Sequence, residues 1–517
     1  MTHSLRHIPI RTLGSSPAHL RYLEEDPDLE PFLGRRPRNV DDLLRRAPKD
    51  ARRLVSPAQL APALRRYAER HEAGEEVLAS VDRVASGEAQ LIVTGQQPGL
   101  FGGPLYTVHK VATAVRLAQE INAHAGRPLA IPLFWNHTDD HDLEEANRAY
   151  FVNNHHEVQR IRLSLERSGE ALRDIGIGHK LEQGLAAVTD LLPHNEFRDQ
   201  TLETFAARHP DEHFGDGLAR LLFRLFGRFG LLVIEPRDLP REAFDVLPRW
   251  WSMAEQIQST IRPTIEVLLE LGLEITMDPG ATLMFQTQGG RRTAMVEGDP
   301  VHHATDLSPG VLLRPLWQDA CLPTIASVVG PGELAYLSVA GPLYRQLGVP
   351  APVLVPRASL TLVEPSIAKL LKRFGWELTD LDVGPEKLFQ DAVGDDSNAT
   401  EETLEGLIQR LGSDLDQLAT DLEQRDPQLL RALERTRDKA QEELGRLLAK
   451  LRNSRQNREG TGLRQIRRLA NTLRPRGRPQ ERVLTVVPFM AAHGPQLGDV
   501  LVAAADPFTS SHGILEL

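Results

Sequence analysis

The stretch QLIVTGQQPGLFGGPLYTVHKVATAVRLAQEINAH (90–124) constrains the fold more than any other part of the chain. A short apolar run ends at Gly95, a turn rich in glycine and proline follows, and apolar residues then recur at helical spacing. A second apolar run, LAIPLFWN (129–136), comes a few residues after that helix. Two strands joined by a long helix lie parallel, because the crossover brings the chain back to the same end of the sheet. RAYFVN (148–153), LLVIEP (231–236), SVVGP (327–331) and APVLVP (351–356) read as further strands. Strand–helix alternation predicts an α/β fold with a Rossmann-like parallel-sheet core.

The gaps between these strands are long. Two large helical insertions are expected, at about 155–225 and 240–325, the second with a hairpin TLMFQT–GGRR–TAMVEG. The core is expected to span 1–390, with N-terminal helices that include the pattern at 56–86, where Ser56 precedes Pro57 as an N-cap. Residues 391–477 change character. Leu404, Leu407, Leu411, Leu415, Leu418 and Leu422 form a stripe, Asp426-Pro427 interrupts it, and Leu430, Leu433, Leu444, Leu447 and Leu451 resume it. That pattern predicts a C-terminal antiparallel α-helical coiled coil. Residues 478–517 are apolar and are expected to return to the core.

Charge and composition narrow the function classes. A net charge of −11 argues against nucleic acid or an anionic membrane as the main partner. The apolar stretch 218–236 is interrupted by Arg220, Arg224 and Arg228, so it does not read as a membrane span. The single cysteine, Cys321, excludes an intrachain disulfide, and no apolar leader is seen in MTHSLRHIPIRTLGSS; a cytoplasmic location is expected. The segment 452–482 carries ten arginines against two glutamates without interleaved aromatics, and reads as a solvated basic helix end.

Four segments carry candidate chemistry. In the first loop, Gly95, Gln96, Gln97, Gly99 and Gly103 lie where such sheets bind ligands, with His109 and Lys110 on the helix that follows. In LFWNHTDDHDLEEAN (133–147), Asn136, His137, Asp139, Asp140, His141 and Asp142 crowd the end of the next strand. A histidine there suits proton transfer and the aspartates suit an amine or hydroxyls; Asp142 also suits a helix cap. No metal is assigned, since three carboxylates stand beside the two histidines before any helix begins. Gly330 and Glu333 mark a third strand end. Arg357 marks a fourth, and suits a carboxylate or phosphate.

Four segments together, VTGQQPGLFGGPLYTVHK, PLFWNHTDDHDLEEAN, RPLWQDACLPTIASVVGPGELAY and VPRASLTLVEP, resemble the BshC family of bacillithiol biosynthesis, over nearly the whole chain from about Ser56. The resemblance implies a homodimer, with the coiled coil as the candidate contact, and a ligase that joins the carboxyl of cysteine to the amine of glucosaminyl-malate. Amide formation from a free carboxylate needs activation, so ATP, with magnesium, is the expected cosubstrate and adenylated cysteine the expected donor. Neither an HxGH signature nor a KMSKS-like loop is present. In this reading the Gly95–Pro104 backbone binds phosphate or the malyl carboxylate and Gln96 and Gln97 orient it. His109 or His141 is the general base, and Asp140 and Asp142 hold the ammonium or sugar hydroxyls. The competing readings are a nucleotidyltransferase-like ligase with another amine or amino acid, and a non-catalytic coiled-coil dimer that binds a sugar-thiol.

Overall fold

The computed structural model describes residues 3–48, 53–166, 169–278, 280, 282–288, 291–393, 399–459 and 461–517, without the side chains of 391–400 and 453–461. By internal contact the chain divides into two units, one of residues up to Pro365 together with Arg478–Leu517, the other Ser366–Gly477.

The first unit is built on five strands: β1 (Gln90–Gln96), β2 (Ala130–Asn136), β3 (Leu232–Ile234), β4 (Thr324–Val329) and β5 (Val353–Pro356). Their spatial order is β5-β4-β1-β2-β3, and every neighbouring pair is parallel. This is the doubly wound arrangement, with strand order reversing between β1 and β4. Both faces are covered. Leu133 and Trp135 of β2 join one core cluster with Trp317, while Phe134 joins the other with Val108 and Leu222. Burial on both faces is why these strands read as unbroken apolar runs.

Four helices of this unit frame the candidate site: α1 (Pro57–Arg70), α2 (Tyr106–Ala125), α3 (Phe214–Phe226) and α4 (Pro331–Leu347). The Ser56 cap forms with Gln59 as its partner, and the 56–86 pattern divides into α1 and a second helix at Glu75–Ala85. The crossover from β1 to β2 is α2, and that from β4 to β5 is α4. The first insertion ends in α3, which packs beneath β2 and β3 as part of the core. The second insertion carries the expected hairpin, Met284–Gln288 with Arg291–Ala294, joined by Leu307–Pro309.

One strand behaves differently from expectation. Ala149–Val152 does not enter the parallel sheet; it pairs antiparallel with Val158–Ile161. Only a turn and the one-turn helix Leu143–Ala146 separate it from β2, which is too little chain for a parallel crossover. A further sheet joins distant parts of the sequence: Ser511–Glu516 pairs antiparallel with Ser4–Pro9 and parallel with Ser359–Val363. Residues 478–517 thus belong to the first unit.

The second unit starts at Ser366, upstream of the boundary expected at 391, because the helix Pro385–Val393 lies against α7 (Thr461–Leu473) near the unit's other end. Between them α5 (Ala399–Arg425) and α6 (Leu430–Glu459) form an antiparallel pair. Asp416 pairs with Arg437 at 2.6 Å and Glu405 with Arg452 at 2.6 Å, on opposite sides of the Asp426-Pro427 turn. Pro427 opens a short 3-10 turn, and the Asp426 side chain makes no capping bond. Two helices alone leave part of the stripe in water: Leu407 and Leu418 are 45% and 44% exposed. Among the described residues no helix is long and apolar enough to cross a membrane.

Candidate active site

The carboxyl end of β2 builds the centre of the site. Gln96 and Asn136 are register partners across β1 and β2, so the two polar strand ends are neighbours. Gln97 Nε2 donates to the carbonyl of Asp142 at 2.9 Å, tying the two loops together. Asp142 caps the helix Leu143–Ala146 by accepting from the Glu145 N–H at 3.0 Å. Asp140 Oδ1 accepts from the N–H of His141 at 2.7 Å, and its other oxygen is 3.8 Å from Arg314.

His137, Asp139 and Asp140 line a small pocket with Arg292, Ser308, Arg314 and Trp317. Arg292 lies 3.7 Å above the Phe285 ring and donates to Ser308 Oγ at 3.0 Å and to His141 Nδ1 at 2.8 Å. Burial pushes Arg292 down to about 10, so it remains a cation at neutral pH. Arg237 donates to Asp139 Oδ1 at 3.1 Å and to Thr287 Oγ1 at 2.9 Å. The other Asp139 oxygen is buried and accepts no hydrogen bond among the described residues. Burial, and then Arg314, Arg292 and Lys110, hold His137 well below its ordinary value, so its ring is neutral. His141 is also lowered, by burial and by Arg292. A guanidinium only donates, so His141 Nδ1 is the acceptor and the neutral ring carries its proton on Nε2.

The glycine loop is used differently from expectation. Gly102 has φ +83°, and a Cβ there would lie 2.4 Å from Leu221 of α3; a Cβ on Gly99 would lie 2.9 Å from the Gly103 Cα. These glycines let the loop fold on itself and onto α3. Gly102→Ala is expected to lower stability by about 1–3 kcal/mol, from strain and overpacking together, read as a shift in the urea midpoint. A wild-type midpoint would show that Leu221 yields freely.

At the reversal point between β1 and β4, Lys110 is buried. Its Nζ donates to the Gly95 carbonyl at 2.8 Å and to Gln96 Oε1 at 3.0 Å, and lies 2.5 Å from Glu333 Oε2. The same Glu333 oxygen accepts from the Gly330 N–H at 2.6 Å. A carboxylate of the chain itself therefore occupies the N-terminus of α4, where an anion is favoured.

Two expected site residues lie elsewhere. His109 is fully buried, with Nδ1 3.1 Å from Glu481 Oε2. Arg357 donates to the two Glu481 oxygens at 2.8 and 2.6 Å. Ser359 Oγ and the Leu360 N–H donate to the same carboxylate at 3.0 and 3.1 Å. His109, expected as a base, and Arg357, expected as an anion ligand, are thus held in a buried ion-pair cluster and do not line the pocket. Conversely, Arg237, Arg292 and Arg314 were not picked out from sequence. Their signals were present: Arg237 follows the end of β3, Arg292 sits in the hairpin, and Arg314 begins the helix Arg314–Cys321. Among the described residues no group of three or more histidine, cysteine, aspartate or glutamate side chains could hold a metal ion.

Residues 4–304 and 300–358 match the family model for the bacillithiol biosynthesis BshC N-terminal Rossmann-like domain, and residues 360–517 match that for the BshC C-terminal coiled-coil domain. The match begins well before Ser56. Relatives named "Putative cysteine ligase BshC" include one from Salinibacter ruber, 30% identical over 90% of each chain. Another, from Solibacter usitatus, is 30% identical over 80% of this chain and 82% of its own. A third, from Heliobacterium modesticaldum, is 31% identical over 83% and 84%.

Proposed function

The chain belongs to the BshC family, and on that premise we propose that it joins the carboxyl of cysteine to the amine of glucosaminyl-malate, giving bacillithiol. The observation that carries this reading is the pocket at the end of β2, where Arg292 and Arg314 stand beside a neutral His137 and a buried Asp139 oxygen with no hydrogen-bond partner among the described residues. Guanidinium groups suit carboxylates, here those of the malyl group or of cysteine. Asp139 and Asp140 suit the ammonium. His137, which lines the pocket as a neutral ring, is the proton acceptor for the attacking amine. His141 offers an Nε2–H to a substrate oxygen, because Arg292 occupies its other nitrogen. Gln97 and Asp142 hold the two loops together, while Lys110, Gln96, Gly330 and Glu333 join β1 to β4 beside them.

Activation of the cysteine carboxyl is part of the proposal, and ATP, with magnesium, would supply it by providing a good leaving group. The phosphates would meet the same guanidiniums that hold the cysteine carboxyl, Arg292 and Arg314, because activation joins the two groups. The Gly95–Gly103 backbone fits them poorly, since those glycines are packed and Glu333 already fills the neighbouring helix terminus. We also propose a cytoplasmic homodimer: Leu407, Leu418 and Leu447, 44–48% exposed on the second unit, suit a second copy of the chain.

The test is mass-spectrometric detection of product from purified protein, glucosaminyl-malate, cysteine and magnesium, with and without ATP. Product only with ATP supports the whole reading. Product without ATP removes ATP and keeps the ligase. Binding of glucosaminyl-malate without turnover in either tube, or in tubes supplemented with cell extract, overturns the ligase reading in favour of a binding protein.

A further inference from the structure

Directly behind the pocket lies a carboxylate that none of these roles uses. Glu235, the residue after β3, is fully buried. Among the described residues no lysine or arginine pairs with it; the nearest cationic candidate, His213 Nε2, is 3.9 Å away. Its partners are two hydroxyls. Tyr67 Oη of α1 donates to Oε1 at 3.0 Å, and Thr138 Oγ1 donates to Oε2 at 2.7 Å. Tyr67 Oη in turn accepts from Asn136 Nδ2 at 3.1 Å, and that amide also donates to the Gly215 carbonyl at 3.1 Å. Gly215 is forced by crowding here, since a Cβ would lie 2.6 Å from Thr138 Cγ2 and 2.8 Å from Glu235 Oε1.

Burial raises the proton affinity of Glu235, so a carboxyl is a costly choice for packing alone. What it gains is reach. One oxygen holds Thr138 directly, and the other holds Asn136 through Tyr67. These two residues flank His137, and Asp139 follows. We infer that Glu235 is a positioning residue of the site, a clamp that grips both neighbours of His137 and so fixes the His137 ring and the Asp139 carboxylate towards the pocket. The inference rests on the reading of that pocket as the ligase site. A bond from a hydroxyl to a carboxylate is shorter and stronger than one between neutral groups, which suits a loop that must not drift. Misplacement of a reacting group by about 1 Å costs on the order of 100-fold in rate.

The test compares Thr138→Val, which keeps shape and removes the hydroxyl, with Thr138→Ser, which keeps the hydroxyl, and adds Tyr67→Phe as an independent break in the clamp. The expected result is a fall in kcat of about 10–100-fold for Thr138→Val and Tyr67→Phe with KM little changed, and near wild-type turnover for Thr138→Ser. A second readout needs no turnover: the ring nitrogen shifts of His137 in histidine-labelled protein should move in Thr138→Val and stay in Thr138→Ser. Folded Thr138→Val and Tyr67→Phe proteins with wild-type kcat and unmoved His137 signals overturn the clamp. If the wild type makes no product, the ligase reading fails, while the His137 shifts still decide the clamp.

Discussion

Replacing His137 with asparagine is expected to lower product formation by about 100- to 10,000-fold, the usual contribution of a positioned proton acceptor, while leaving the melting temperature close to wild type. The expectation follows from position and charge state. The ring lines the pocket, and burial together with Arg314, Arg292 and Lys110 keeps it in the basic form. The sign of the pH dependence also follows. A base held well below its ordinary value of 6.5 stays deprotonated as pH falls through that value. The wild-type rate should therefore remain level through pH 6.5 and decline only at lower pH. His141→Ala separates the two histidines: losing a hydrogen-bond donor should cost less than losing the base. A larger loss in His141→Ala than in His137→Asn, or a rate that halves near pH 6.5, would sink the assignment of His137.

Glu481→Gln should reduce folding stability by about 3–5 kcal/mol, because it leaves Arg357 buried without its counter-charge. Arg357 and Glu481 are 5% and 4% exposed, so water cannot take the place of the missing partner. Urea unfolding measures the loss, and a variant within about 1 kcal/mol of wild type would show that the cluster contributes little. Arg357→Met added to Glu481→Gln should recover part of the loss, since the uncompensated cation is then gone. Burial alone would raise Glu481, but Arg357 and His109 outweigh it and hold the carboxylate well below its ordinary value of 4.5. A depressed carboxylate gives stability that is fully present above 4.5 and is lost as pH falls towards the folded value. The wild type should therefore weaken in acid more steeply than the variant.

The parallel sheet was legible because its strands are short, apolar on both faces and bounded by turns. The sheet that joins 4–9, 359–363 and 511–516 was not, since its pairing partners are far apart in sequence, Ser359 with His512 and Ser4 with Glu516, and its outer strand SLRHIP is mostly exposed. Half of the pocket was legible for a similar reason. His137, Asp139 and Asp140 follow a strand end, which is where ligands of such sheets sit. The arginines that face them come from the hairpin and helix start of the second insertion, and only tertiary packing brings them there. His109 and Lys110 illustrate a finer limit. They are adjacent in sequence, yet successive helix positions point about 100° apart, so Lys110 reaches the reversal point while His109 meets Glu481. Which of the two neighbours faces the crevice depends on how α2 is rotated against the sheet, and no single helix pattern fixes that.

The Glu481 cluster also sets an order of events during synthesis. Arg357 leaves the ribosome 124 residues ahead of the carboxylate that neutralises it. At roughly 5–20 residues per second the nascent chain carries an unmatched guanidinium for about 6–25 s. Throughout that interval the edge of Ser359–Val363 also waits for Ser511–Glu516. The helices of Ser366–Gly477 emerge in between as one continuous stretch and can pair locally while the first unit is held open. Completion of the first unit is thereby tied to arrival of its last segment, and a translational pause within 366–477 prolongs the time during which the edge of Ser359–Val363 stands unpaired.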